Sequence, residues 1–303
     1  MFIAIKGAQS DGHEFIDKAI STGAVAIVCE KLPDSLQGVG QVTYVQVSNS
    51  ESALGVIASN FYDIPSEKLK LVGITGTNGK TTTASLLYDL FSALGFGVGL
   101  ISTVSYKITP LSSGRGAGGE VIISSTHTTP DAIQLNNMMQ QMVDAGCQYC
   151  FMEVSSHAVV QKRIAGLKFS GGVFTNITHD HLDYHKIFEE YLKAKKGFFD
   201  VLDNDAFALV NKDDNNGIVM LQNTKAAKKT YALRTSADFK CKILESQFSG
   251  LLLNMDGTEM WSKLIGSFNA SNLLAIYSTA ILLGQEKIKV LTALSTLLSL
   301  IHI

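Results

Sequence analysis

Short apolar runs alternate along this chain with stretches in which apolar residues recur every three or four positions. The first pattern predicts strands and the second predicts amphipathic helices. FIAIKG (2–7) predicts a strand, and HEFIDKAISTG carries Phe15, Ile16, Ala19 and Ile20 at helical spacing, with Gly23 as its stop. AVAIVCE (24–30) and VTYVQV (42–47) predict two more strands, and SESALGVIASNFY (50–62) a helix begun by a serine cap. Pro65 disfavours helix at Ile64, so a domain boundary is predicted at IPSEK, between units 1–66 and 67–303.

The second unit repeats the alternation. KLVGIT (70–75) predicts a strand, GTNGK a glycine loop, and TTTASLLYDLFSALG (81–95) a helix. KITPLSSGRGAGGE (107–120) predicts a surface loop. Asp131–Ala145 predicts a helix after Pro130. QYCFMEV (148–154), GGVFTNI (171–177) and AFALVN (206–211) predict strands, and FEEYLKAKKGFF (188–199) a helix. CKILESQFSGLLLNMDG predicts a hairpin, and SNLLAIYSTAILLG (271–284) a buried helix. The fold class is therefore α/β, a small N-terminal α/β unit followed by a central, mostly parallel sheet flanked by helices.

Composition narrows the function classes. The 303 residues are 46% apolar and 17% charged, with a net charge of −2, so no excess of positive charge favours nucleic acid. No apolar run is long enough for a membrane span, and the N-terminal residues lack the pattern of a signal peptide. Four scattered cysteines do not make a disulfide framework, and the cytoplasm is the expected compartment. Cys147-Gln-Tyr-Cys150 has a redox or zinc form, but with no second pair it reads as core thiols at a helix–strand junction.

Four stretches carry candidate chemistry. In Gly76-Thr77-Asn78-Gly79-Lys80-Thr81-Thr82 a glycine turn leads into a helix N-terminus, the context of a phosphate loop. Backbone amides there suit anionic oxygens, Lys80 suits terminal phosphates, and the Thr81 hydroxyl suits Mg²⁺. The general spacing asks for a glycine six residues before Lys80, and that position is Ile74. Glu153 ends an apolar strand, where it faces either Mg²⁺ opposite Thr81 or solvent. Ser155, Gln161 and Arg163 follow, the last offering a fork to carboxylate or phosphate. FTNITHDHLDYH places three histidines and two aspartates in 179–185, which reads either as a metal site for Zn, Mn, Fe or Mg or as local capping with one or two functional members. The basic run Lys193–Lys196 reads as a solvated face unless the helix returns Lys195 to the strand ends.

The compact Gly-Thr-Asn-Gly-Lys-Thr loop resembles that of the Mur ligases and folylpolyglutamate synthases, which make amide bonds at the expense of ATP. Glu-Val-Ser-Ser-His, Gln-x-Arg, Phe-Thr-Asn-x-x-x-Asp-His-Leu-Asp-Tyr-His and Tyr-x-x-Ala-Lys together resemble the Mur ligase family, in the branch that adds the third residue of the peptidoglycan stem. A folate ligase is not expected to carry Ser-Ser-His with Gln-x-Arg. The resemblance covers nearly the whole chain, and STHTTPDA and GSFNASN also fit it.

It implies an ATP-dependent ligase that joins diaminopimelate, or lysine, to UDP-MurNAc-L-Ala-D-Glu through an acyl phosphate. Gly76–Thr82 would bind ATP phosphates, with Asn269 and Asn272 on the adenine side. Glu153, His181 and Lys195, the last as a carbamate, would hold Mg²⁺. Thr128, Thr129, Ser155, Gln161 and Arg163 would hold the UDP-MurNAc-dipeptide, with Gln9 and Ser10 in the uridine pocket. The family also has a segment before FIAIKG and a third, C-terminal domain, so the chain is expected to be a fragment that binds nucleotide weakly and does not ligate alone. The rival readings are a folylpolyglutamate synthase-type ligase and a metallohydrolase built on His179–His185.

Overall fold

The computed structural model describes residues 1–7, 10–33, 41–111, 121–124, 129–178 and 188–297. The small unit is a three-stranded parallel sheet, β1 (Phe2–Ile3), β2 (Ala26–Cys29) and β3 (Thr43–Gln46), with helix α1 (Ile16–Ser21). Its core is Ala4, Ile16, Ile27 and Cys29. Helix α2 (Ser50–Phe61) begins differently from expectation. Asn49, not a serine, caps it, because the Asn49 Oδ1 accepts the Ser52 N–H at 2.7 Å while Ser50 is already inside the helix. This helix packs on α4 (Ala132–Asp144) of the larger unit. At Gly55 its backbone approaches so closely that a Cβ would sit 2.4 Å from the Ala165 carbonyl oxygen.

The larger unit is one eleven-stranded sheet. Its strands in chain order are β4 (Lys70–Thr75), β5 (Val98–Ile101), β6 (Ser105–Thr109), β7 (Val121–Ser124), β8 (Tyr149–Glu153), β9 (Gly171–Phe174), β10 (Phe207–Asn211), β11 (Ala227–Ala232), β12 (Phe239–Gln247), β13 (Gly250–Met255) and β14 (Thr258–Ser262). In space, β5, β8, β4, β9, β10, β11 and β12 run parallel, with β6 and β7 added antiparallel at one edge and β13 and β14 at the other. The expected loop at 107–120 is thus corrected at its start, because Lys107–Thr109 belong to β6.

Helices cover both faces of the parallel part. On one face lie α3 (Lys80–Ala93), α7 (Ser267–Leu282) and α8 (Lys287–Thr296). On the other lie α4, α5 (Ser156–Val160) and α6 (Phe188–Asp200). Alternate residues of β4 serve the two cores: Val72 and Ile74 join the α3 and α7 face, and Leu71 joins the α4 and α6 face. A strand buried on both faces reads as an unbroken apolar run, which is what KLVGIT and YCFME show. Gly73 fits this crowding, since a Cβ there would meet the Phe198 ring at 2.4 Å. Among the described residues no helix is long and apolar enough to cross a membrane.

Candidate functional site

β4 lies between β8 and β9 in the sheet, and all three deliver their C-terminal ends to one place. Open α/β sheets gather ligands outside such strand ends. The loop leaving β4 turns at Gly76, where a Cβ would lie 1.9 Å from the Thr175 Oγ1, and again at Gly79, whose φ of 84° suits glycine. Gly79 is the N-cap of α3, and no side chain caps that helix. Its first-turn amides therefore face the loop mouth, where an anion binds best. Thr81 and Thr82 are half-buried in that first turn, and Asn78 is exposed.

Lys80 folds back over the loop, its Nζ donating to the carbonyl oxygens of Gly76 at 3.0 Å and Thr77 at 2.9 Å. Burial lowers its proton affinity below the ordinary lysine range, opposed by the charge of Glu153. Lys195 arrives from α6 and donates to the same Gly76 carbonyl at 2.8 Å. It is 1% exposed, with its Nζ 4.5 Å from the centre of the Tyr191 ring. Burial, then the charge of Lys80, pushes Lys195 well below the usual lysine range. The solvated-face reading of Lys193–Lys196 thus fails at Lys195, because the helix turns this residue inward beneath the loop.

Glu153 does not face solvent. Its side chain is fully buried, with Oε1 accepting the Thr103 N–H at 2.9 Å and Oε2 the Thr103 hydroxyl at 3.1 Å. Beside it, the Thr129 hydroxyl donates to the Glu153 carbonyl at 3.0 Å and lies 3.4 Å from the Ser155 Oγ. Ser155 caps α5 by accepting the Ala158 N–H at 3.1 Å. Arg163 donates from Nη1 to the Thr129 carbonyl at 2.6 Å and from Nε to the Gln161 Oε1 at 2.9 Å. Thr129, Ser155, Gln161 and Arg163 therefore form one cluster at the end of β8.

On the other side, Asn272 donates to the Asn269 Oδ1 at 3.2 Å, and its own Oδ1 lies 2.7 Å from where a Gly79 Cβ would stand. A cavity of about 640 Å³ opens there, lined by Asn78, Gly79, Asn176, Arg234, Phe268 and Asn272 among others. Ser10 belongs to the small unit, where its carbonyl accepts the Gly7 N–H at 2.9 Å. Gln9, Thr128, His181 and the whole of His179–His185 lie outside the described residues. Among the described residues no group of three or more histidines, cysteines or carboxylates gathers as a metal cluster. All four cysteines are buried and free, and burial pushes the Cys147 thiol up to about 12, as expected of core thiols.

Several residues of the site escaped the sequence reading. Thr103 binds the Glu153 carboxylate, and Tyr191 meets the Thr77 Oγ1 at 3.2 Å. Asn176 and Thr175 hold Asn78 through its backbone groups. Asp213 accepts the N–H groups of Leu233, Arg234 and Thr235 at the cavity wall. Asn176 and Thr175 stood in the Phe-Thr-Asn stretch of the resemblance, which gave them a place but no role.

A model of the Mur ligase middle domain matches residues 74–280, and one of the Mur ligase family catalytic domain matches residues 1–62. The chain is 58% identical to a UDP-N-acetylmuramoyl-L-alanyl-D-glutamate–2,6-diaminopimelate ligase of Cytophaga hutchinsonii, over 98% of this chain and 59% of the relative. It is 53% identical to the protein of the same name from Bacteroides thetaiotaomicron, over the same shares of each. The chain spans about 59% of the length of these relatives. A solved structure of a ligase of that name superposes with a TM-score of 0.78 at 26% identity, over 95% of this chain and 57% of that one. The middle-domain match alone takes in more than half of the chain, and on it the chain belongs to the Mur ligase family.

Proposed function

We propose that the chain carries the nucleotide and acceptor sites of an ATP-dependent ligase that joins diaminopimelate to UDP-MurNAc-L-Ala-D-Glu in peptidoglycan synthesis. The name borne by relatives such as those from Cytophaga hutchinsonii and Bacteroides thetaiotaomicron supports this substrate pair, with lysine as the alternative third residue. The observation that carries the reading is the meeting of Lys80 and Lys195 on the Gly76 carbonyl, beside the buried Glu153. Lys80 offers its charge to a polyanion there, and the neighbouring Lys195 is the amine proposed below for the metal-binding carbamate.

The loop amides and Lys80 would cradle the β- and γ-phosphates of ATP, with the adenine towards Asn269 and Asn272. Thr129, Ser155, Gln161 and Arg163 would hold the dipeptide with its D-Glu γ-carboxylate near the γ-phosphate, and Gln9, Ser10 and Thr128 would complete the hold on the UDP-sugar. Attack of that carboxylate on the γ-phosphorus gives an acyl phosphate and ADP. The amine of the third amino acid then attacks the acyl carbon, and inorganic phosphate leaves. Lys80 would offset charge on the transferred phosphoryl group. No side-chain nucleophile is needed.

The donor set fits Mg²⁺. Glu153 and Thr81 present hard oxygen ligands, and a buried Lys195 with lowered proton affinity is the form of lysine that takes up CO₂ to become a carbamate. His181 is the fourth residue proposed for the metal. Bound there, Mg²⁺ would supply charge neutralisation to the phosphates. We assign the activity to the cytoplasm, where ATP is found. The test is ATP-dependent ligation by the complete gene product, with diaminopimelate and with lysine. Formation of the UDP-MurNAc-tripeptide with one of them is expected, and failure with both overturns the reading.

A further inference from the structure

The phosphate loop of this chain lacks the first glycine of the general form, and something else must fix its shape. β9 ends at Phe174, and the next two residues reach across to the loop. The Thr175 hydroxyl donates to the Asn78 carbonyl at 2.7 Å, and the Asn176 Nδ2 donates to the same oxygen at 3.0 Å. In return the Asn176 Oδ1 accepts the Asn78 N–H at 2.9 Å. The Asn176 carbonyl accepts the Thr77 N–H at 2.8 Å. A single side-chain amide thus pairs with both backbone groups of Asn78, as a neighbouring strand would. The strand end is itself anchored, because the Asn211 Nδ2 donates to the Thr175 carbonyl at 2.9 Å.

We propose that Asn176 is a positioning residue for nucleotide binding, clamping Asn78 so that the loop amides stand ready for phosphate before ATP arrives. The proposal rests on the nucleotide-site reading above. It assigns Asn176 no contact with substrate. Its part is to spare ATP the cost of ordering the loop, a cost that otherwise subtracts from affinity. Thr175 acts with it from the next position. The crowding that forbids a side chain at Gly76 comes from the same Thr175 hydroxyl, so the strand end both shapes the turn and holds it.

The test uses the 303-residue chain with Asn176→Ala and the isosteric Asn176→Asp, which keeps the acceptor for the Asn78 N–H and loses the donor. Two readouts are taken together: amide hydrogen exchange across 72–87 without nucleotide, and the affinities for ATP and for inorganic tripolyphosphate. Asn176→Ala removes two hydrogen bonds, so both affinities should fall about tenfold. Exchange should quicken at 76–79 and stay unchanged in β4, and Asn176→Asp should give an intermediate rise. A merely structural role would instead raise exchange throughout the sheet. Parent-like exchange at 76–79 in both variants, or ATP affinity equal to the parent's in Asn176→Ala, overturns the clamp and leaves the nucleotide reading standing. A parent chain that binds neither ATP nor tripolyphosphate overturns that reading and the clamp with it.

Discussion

The parallel strands carry a hollow at each end, and the two differ in kind. The one at their N-terminal ends, lined by Lys68, Lys70, Gln148, Tyr149, Lys168 and Asp205 among others, encloses about 970 Å³. The one beside the β4–α3 loop encloses about 640 Å³. Around the larger hollow several polar side chains are paired. Lys168 pairs with Asp205 at 3.3 Å, Lys68 with Asp63, and Gln285 donates to the Tyr149 hydroxyl at 3.2 Å. At the loop end the ionisable groups are buried together and bonded to backbone and Thr103. Lys80 and Lys195 crowd the same carbonyl, a glutamate is fully buried, and the first turn of α3 has no side-chain cap. Buried ionisable groups with shifted proton affinities cost stability and gather at functional sites. Volume alone points to the other end.

The sharpest way to break this contrast is Gly76→Ala. The new Cβ would meet the Thr175 Oγ1 at 1.9 Å, so overpacking should cost about 1–3 kcal/mol of stability and ATP affinity should fall at least roughly a hundredfold. Gly95→Ala is the control, since its φ of 89° is strained but nothing lies within 4 Å. It should cost about 1–2 kcal/mol and leave ATP affinity alone. Denaturant unfolding and nucleotide titration of both variants check this.

Next is Lys80→Ala, which removes the charged group proposed to meet phosphate and should lower ATP affinity roughly 10- to 150-fold. Lys168→Ala, at the other end of the strands, should not change it. Glu153→Gln keeps the side-chain shape and removes the charge. It should weaken Mg²⁺-dependent ATP binding about tenfold and leave metal-free binding unchanged or slightly tighter, read by titration with and without chelator.

Two smaller effects sharpen the picture. Burial raises the proton affinity of Asp213, but N–H groups of Leu233, Arg234 and Thr235 lower it further, and the net shift is downward from 3.8. A carboxylate whose affinity is lower in the folded chain stabilises it above the unfolded value and loses that effect as pH falls through the folded one. Asp213→Asn should therefore lower Tm at pH 7, and the gap to the parent should close below about pH 4. The smallest effect is no effect: none of the four buried cysteines should alkylate in the native chain at pH 8, checked by mass spectrometry.

The position of a candidate residue was legible where its type is unusual for its setting. A lysine after a glycine turn, Lys80, and a glutamate ending an apolar strand, Glu153, are such cases, whereas Lys195 stood inside a basic run and was given a role only by the family resemblance. All three meet in the structure. The supports were not legible. Thr103, Thr175 and Asn176 act on groups 50, 97 and 98 residues away in the chain, and much of what they bind is backbone, which carries no sequence signal. The elements divide similarly. KLVGIT at 70–75 matches β4 residue for residue. β5 (VGLI), β11 (AKKTYA) and α8 passed unread, being too short or too polar to show a period, and pairing with neighbours made them regular. Ser50 read as a cap because Asn49, just before it, is as good a cap and only the backbone turn decides between them.

The central claim is that the β4–α3 loop and Lys80 hold the triphosphate of ATP. It is tested most directly by competition of inorganic tripolyphosphate against ATP on the 303-residue chain, before and after Lys80→Ala. The account predicts that tripolyphosphate displaces ATP from one site in the parent chain and that Lys80→Ala weakens both together. ATP binding that tripolyphosphate does not disturb, or that survives Lys80→Ala undiminished, would contradict it.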